Sequence, residues 1–146
     1  MDAIDDLGKS GESLVAEWIV TKGGTVLAMR WHCTFGELDL IALNVAGDLI
    51  FIEVKTRSPR NIDADGILAV TRSKQRKLVR SAQIFLLQHP AHVQRNCRFD
   101  IALVGAHPSQ TIAPLTKKHP RGFTRTIGLH KLTLVDYIIN AFEVNY

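Results

Sequence analysis

Two apolar runs separated by a short polar break dominate the pattern of hydrophobic and polar positions: Glu37 to Asn44 and Leu49 to Lys55. Their length and β-branched content predict two strands. Ahead of them, Leu14, Val15, Trp18 and Ile19 recur at helical spacing, Leu7 lies one turn earlier on a nearby face, and Gly23-Gly24 supplies the stop. Glu12 and Glu17 fall outside that apolar stripe. Thr25 to Trp31 predicts a strand and Cys33 to Gly36 a turn. Beyond the two strands, Ser58 to Gly66 is polar and broken by Pro59 and Gly66, which predicts a mobile loop.

The second half begins with a helix capped by Ser73, whose core stripe is Leu78, Val79, Ala82, Phe85 and Leu86 and whose end is marked by Pro90. Arg98 to Val104 predicts a further strand, and 105–128, rich in Pro, Thr and Lys with little periodicity, a long flexible loop. A strand over Leu129 to Leu134 and a short helix over Asp136 to Phe142 complete the chain. The order α-β-β-β-α-β followed by a small tail predicts an α/β fold, one mixed sheet flanked by helices. With 146 residues, the chain is read as a single domain, 1–146, able to bury a core without disulfide or metal support.

Charge changes this picture where it intrudes on the strands. Glu37 and Asp39 sit in the first and Glu53 and Lys55 in the second, where buried strands carry few charges. Residues two apart share a face, so Glu37 and Asp39 are expected opposite Leu38 and Leu40, and Phe51, Glu53 and Lys55 opposite Ile52 and Val54. Whether the charged faces meet depends on the turn. A three-residue loop of Val45, Ala46 and left-handed Gly47 pairs Asn44 with Asp48, Asp39 with Glu53 and Glu37 with Lys55. A two-residue Ala46-Gly47 loop would pair Asp39 with Val54 and dismantle the site.

In the first register two carboxylates face each other at Cβ separations of roughly 5 Å. Such a pair takes up a proton or binds a cation, and an all-oxygen site suits Mg²⁺ or Mn²⁺. The competing arrangement is an ion network in which Lys55 and Arg57 neutralise Glu37, Asp39 and Glu53. The histidines offer little by comparison: His89 and His92 are close in sequence but sit at a helix end beside Pro90.

The net charge of +4 conceals an asymmetry. Up to Glu53 there are nine acids against Lys9, Lys22 and Arg30, after which Lys55, Arg57, Arg60, Arg72, Lys74, Arg76, Lys77 and Arg80 invert the balance. A second basic run comprises Lys117, Lys118, Arg121, Arg125 and Lys131. Patches of this kind fit a phosphate backbone, although either alone is also what a solvated helix face looks like. Cys33 and Cys97 lack metal-ligand spacing and are read as reduced thiols of a cytoplasmic protein. The acidic N-terminus does not have the form of a signal peptide, and no apolar run reaches the roughly 20 residues of a membrane span.

Gly36-Glu37-Leu38-Asp39-Leu40-Ile41 followed by Phe51-Ile52-Glu53-Val54-Lys55-Thr56-Arg57 resembles the signature of the PD-(D/E)xK, or restriction-endonuclease-like, superfamily. Three further blocks make the resemblance more specific: Gly8-Lys9-Ser10-Gly11-Glu12 with Ala16, Val70-Thr71-Arg72-Ser73-Lys74-Gln75, and Cys97-Arg98-Phe99-Asp100. Together with Ile139-Asn140-Ala141-Phe142 they are similar to the YraN-like family of uncharacterised small bacterial proteins, related to archaeal Holliday-junction resolvases.

That resemblance implies a restriction-endonuclease-like α-β-β-β-α-β core with Asp39 and Glu53 as metal ligands and Lys55 beside them. It places Glu12 on the first helix within reach, Glu37 at an extra acidic position, and Gln75 near the site. The implied activity is divalent-metal-dependent hydrolysis of DNA phosphodiester bonds, in branched or repair and recombination intermediates, with Arg57, Arg72, Lys74, Arg76, Lys77 and Arg80 holding the backbone. The alternative is a non-catalytic nucleic-acid-binding protein that retains the nuclease fold. Resolvase relatives work as dimers, which leaves a homodimer open. Asp100 is either a further site residue or a partner of Arg98 or Lys55, the structural role being preferred.

Overall fold

The central hairpin is built on the turn that the sequence favours. In a computed structural model describing residues 3–58, 70–109 and 123–143, with side chains from Leu7 onward, β2 (Gly36–Leu43) and β3 (Leu49–Arg57) pair antiparallel. Gly47 has φ +86°, a left-handed conformation that a side chain would strain. The Gly47 amide donates to the Asn44 carbonyl at 3.0 Å, and the Asn44 amide donates to the Asp48 carbonyl at 3.1 Å. Leu43 is therefore opposite Leu49 and Leu40 opposite Ile52, the register of the three-residue loop.

Around this hairpin a six-stranded mixed sheet runs in the order β1-β2-β3-β4-β6-β5. Its other strands are β1 (Thr25–Cys33), β4 (Cys97–Pro108), β5 (Thr124–Ile127) and β6 (His130–Ile138). β3 and β4 are parallel, joined by a crossover that contains α2 (Arg72–Gln88) and a 3-10 turn at Pro90–His92; the other pairs are antiparallel. On one face, α1 (Ala3–Thr21) sets Leu14, Val15 and Ile19 against Leu40, Ile52, Ala102, Val104 and Leu134. On the other, α2 sets Leu78, Ala82 and Phe85 against Leu38, Phe51 and Phe99. This is the α-β-β-β-α-β core expected, with β5 and β6 extending the sheet. No helix among the described residues is long and apolar enough to cross a membrane.

Several expectations are corrected. The α2 cap is Thr71, whose hydroxyl accepts from the Lys74 amide at 3.2 Å; Ser73 lies inside the first turn. The segment Asp136–Phe142 does not form the expected helix: β6 continues to Ile138 because Ile101 to Leu103 of β4 pair with Asp136 to Ile138, and Asn140 then turns away at φ +54°. The 105–128 loop is strand at both ends, as β4 runs on to Pro108 and β5 pairs Thr124–Ile127 with β6. Residues 110–122 and 59–69, which hold the rest of that loop and most of the one after Ser58, lie outside the described residues.

The strict alternation expected for β2 also fails, at one point. Leu40 and Ala42 join the α1-side core, whereas Leu38 and Ile41 join the α2-side core, so the pleat breaks at Asp39. On β1, counting from Met29↔Leu40 to Trp31↔Leu38 sets Arg30 opposite Asp39. Arg30 has φ +50°, the left-handed region that a residue with a Cβ seldom enters. Met29 lines a groove with Ala16 and Val20 of α1, Arg30 also reaches α1, and Trp31 packs edge-on against Phe85 of α2. Both strands thus switch faces together, at the place where the acids gather.

α1 approaches β3 closely at this end. A Cβ on buried Gly11 would run into the Thr56 hydroxyl. Gly11→Ala is accordingly expected to destabilise the fold by about 1–3 kcal/mol through overpacking, despite the better helix propensity of alanine. A urea melt showing an unchanged or higher midpoint would contradict that close contact.

Candidate functional site

Asp39 stands where pairing between β2 and β3 ends. Asp39 is one residue beyond the Leu40↔Ile52 pair and Val54 two, and the Val54 amide donates to Asp39 Oδ2 at 2.9 Å, so a carboxylate rather than a strand carbonyl satisfies it. This bond fixes the side chain at the mouth of a cleft of about 390 Å³. Glu12, Asp39 and Glu53 supply its carboxylates, Lys55, Arg57 and Lys74 its cations, and Val54, Val70 and Thr71 complete the wall.

The acids come from three elements. Because the pleat breaks at Asp39, Glu12 from the α1 face and Glu53 from the α2 face both reach the same cleft. Glu37 stands beside it: one carboxylate oxygen from each of Glu12, Glu37 and Asp39 lies within 4.8 Å of the others. Glu12 is only 5% exposed. Its position outside the apolar stripe of α1 does not put it in solvent, because α1 lies close to β3 at the neighbouring Gly11 and Arg30 covers the carboxylate.

Electrostatics follow from this crowding. Burial, then the charge of Glu53, push the Asp39 carboxyl up to about 7; the Val54 hydrogen bond opposes them, and Glu12 and Glu37 add repulsion. Burial also raises the Glu12 carboxyl, against the hydrogen bond and charge of Arg30. The Lys55 ammonium is lowered by burial and by Arg57 and Lys74, with Glu53 acting the other way. For Lys74 burial pulls downwards, yet the hydrogen bond and charge of Glu53 prevail and raise it. The Lys74 ammonium lies 2.7 Å from Glu53 Oε1.

Asp39 and Glu53 are thus brought together with Glu12, Glu37 and Lys55. Gln75 is turned aside: its amide donates to the Val70 carbonyl at 2.8 Å and does not line the cleft. Of the basic residues, Arg57 and Lys74 border the cleft, while Arg72, Arg76, Lys77 and Arg80 are exposed along α2. In the second basic run, Arg125 pairs with Glu17 at 3.2 Å, and 117–121 lie outside the described residues. Asp100 is structural, accepting from Arg98, Tyr137 and the Asn140 amide. His89 Nδ1 donates to the Phe85 carbonyl, 2.8 Å away, and Cys33 and Cys97 are free thiols.

Arg30 is the residue that sequence reasoning overlooked. Its Nε lies 2.8 Å from Glu12 Oε2 and 3.8 Å from Glu37 Oε1, joining α1 to the hairpin. The available signal was its place as the one base between Lys22 and Lys55 in an acid-rich segment, nine residues before Asp39.

The donor set fits a hard divalent cation. Oxygen ligands dominate, and a carboxyl pushed up to about 7 by burial and a like charge is short of a compensating positive charge. Asp39 and Glu53 can supply the direct ligands, with Lys55 adjacent.

Comparison with known proteins gives a consistent result. Residues 11–104 match the Uncharacterised protein family UPF0102. A UPF0102 protein of Synechococcus sp. (strain JA-3-3Ab) is 46% identical over 142 residues, taking in 97% of this chain and 95% of that protein. UPF0102 proteins of Thermosynechococcus vestitus and Synechocystis sp. are 48% identical over 98 residues and 39% identical over 146. The first covers 67% of this chain and 79% of the relative, the second 94% and 97%.

Proposed function

The chain belongs to the UPF0102 family, and from that premise and the acidic cleft we propose that it is a divalent-metal-dependent nuclease hydrolysing phosphodiester bonds in DNA. The observation that carries this reading is the meeting of Asp39 and Glu53, from two strands in the register set by Gly47, in one cleft beside Lys55. Branched substrates or repair and recombination intermediates are the favoured class. A cytoplasmic setting, in which Cys33 and Cys97 stay reduced, and a homodimer belong to the same reading.

Asp39 and Glu53 would hold Mg²⁺ or Mn²⁺, which when bound polarises a phosphate and acidifies water. The Val54 amide keeps Asp39 oriented, limiting the reorganisation needed when ligand binds. Lys55, its ammonium lowered by burial, is placed to orient the attacking water or to offset negative charge developing on the phosphate. Arg57 and the exposed row Arg72, Arg76, Lys77 and Arg80 would bind backbone phosphates without reading sequence. Lys74 joins them once Glu53 is engaged elsewhere.

The Lys74–Glu53 ion pair favours a second reading, a nucleic-acid-binding protein that keeps the nuclease fold but neutralises its own carboxylate. A cleavage panel over single-stranded, duplex, flap and four-way DNA separates the two. The nuclease reading expects products with Mn²⁺ that disappear in chelator. Binding to these substrates with no product from any of them would decide for the second.

A further inference from the structure

We infer that Arg30 is a built-in cation that stands where a second divalent ion would otherwise sit, so that the centre binds one metal ion rather than two. This rests on the metal-dependent reading above. The inference starts from Arg30 itself, which holds a left-handed backbone, φ +50°, in the middle of a strand. Such a conformation persists at a residue bearing a Cβ only when its surroundings impose it. What it achieves here is direction: Arg30 falls on the same side of β1 as Met29, so its guanidinium meets α1 instead of continuing the alternation.

There it sits between two carboxylates. The Nε group lies 2.8 Å from Glu12 Oε2 and 3.8 Å from Glu37 Oε1, while a Cβ at Gly8 of α1 would sit 3.9 Å from Nη2. Glu12, Glu37 and Asp39 bring their oxygens close enough to share a cation. Asp39 also lines the cleft with Glu53, so four acids crowd a region where one divalent ion on Asp39 and Glu53 leaves Glu12 and Glu37 uncompensated. A guanidinium does not lose its proton in a protein, so it supplies that compensation with or without metal. Arg30 is therefore a positioning residue: it holds Glu12 and Glu37 by charge and denies them to a second ion.

Calorimetric Mn²⁺ titration of the full chain, stripped of metal, tests this by stoichiometry rather than by activity. The wild type is expected to bind one ion, Arg30→Gln two, and Arg30→Lys one, because the lysine restores a cation. Glu12→Gln is expected to bind one ion still, since Glu12 is held by Arg30 and is not a ligand. Two ions on the wild type, loss of the ion in Glu12→Gln, or a folded Arg30→Gln that keeps one would each overturn the role of Arg30. Should Arg30→Gln fail to fold, Arg30→Met, which keeps the apolar stem without the charge, is titrated in its place, and one ion on it would equally overturn the role of Arg30. A wild type that binds no Mn²⁺ removes the metal-dependent reading itself, a failure distinct from one ion in both wild type and Arg30→Gln.

Discussion

Asp39→Asn is expected to make the metal-free protein more stable while removing metal-dependent cleavage. The Asp39 carboxyl, ordinarily near 3.8, is pushed up to about 7 by burial and by Glu53. A carboxyl raised in the folded state contributes stability that is fully present below its unfolded pKa and is lost as the pH rises through about 7. At pH 8 the folded protein carries the charge against this penalty, which is on the order of 2–4 kcal/mol. The asparagine keeps an oxygen for the Val54 amide and removes the charge. In chelator at pH 8, the variant should therefore melt about 5 °C or more above the wild type, and the difference should shrink towards pH 5. Equal melting temperatures at pH 8 would contradict the electrostatic account. Mn²⁺ should raise the melting temperature of the wild type but not of the variant, whose cleavage should fall by about 10³-fold or more for want of a ligand.

The second large effect lies away from the cleft. Asp100 is 1% exposed and accepts from Arg98 Nε at 3.1 and 3.2 Å, from the Tyr137 hydroxyl at 2.6 Å and from the Asn140 amide at 2.8 Å. These bonds secure the chain as it leaves β6, where the Ala141 amide donates to the Phe99 carbonyl at 2.7 Å and Phe142 stacks on Phe99. Asp100→Ala would take a buried charged acceptor from the Arg98 guanidinium, the Tyr137 hydroxyl and the Asn140 amide at once. A loss of about 2–4 kcal/mol is expected from the hydrogen bonds to a charged acceptor that disappear together. Urea denaturation measures it, and a loss below about 1 kcal/mol would mean that water replaces the carboxylate at little cost.

What could be read from the chain, and what could not, follows from how local each determinant is. The β2–β3 register was legible because a single residue, Gly47, tolerates the turn conformation required, and the count outward from it is mechanical. The core stripes of both helices were legible for the same kind of reason, periodicity against one apolar face. The face switch was not. An arginine at φ +50° has no signature, since nothing in Met29-Arg30-Trp31 asks for a left-handed residue and only the packing of Glu12 and Trp31 imposes it. Missing it hid how Glu12 and Glu53 reach one cleft from opposite sides of the sheet. Asp136–Phe142 failed differently, because a short apolar run suits helix or strand and pairing with β4 decides. Gln75 shows the limit of resemblance: its amide donates to the Val70 carbonyl at the entry to α2 and does not line the cleft.

The most direct test of the proposed metal centre is a calorimetric comparison at pH 8 of wild type and Asp39→Asn titrated with Mn²⁺. Asp39 is then mostly ionised, so the heat reports coordination rather than proton release. Saturable binding by the wild type with none by Asp39→Asn is the expected result. No binding by the wild type, or equal binding by both proteins, would contradict the assignment of this cleft as a metal centre.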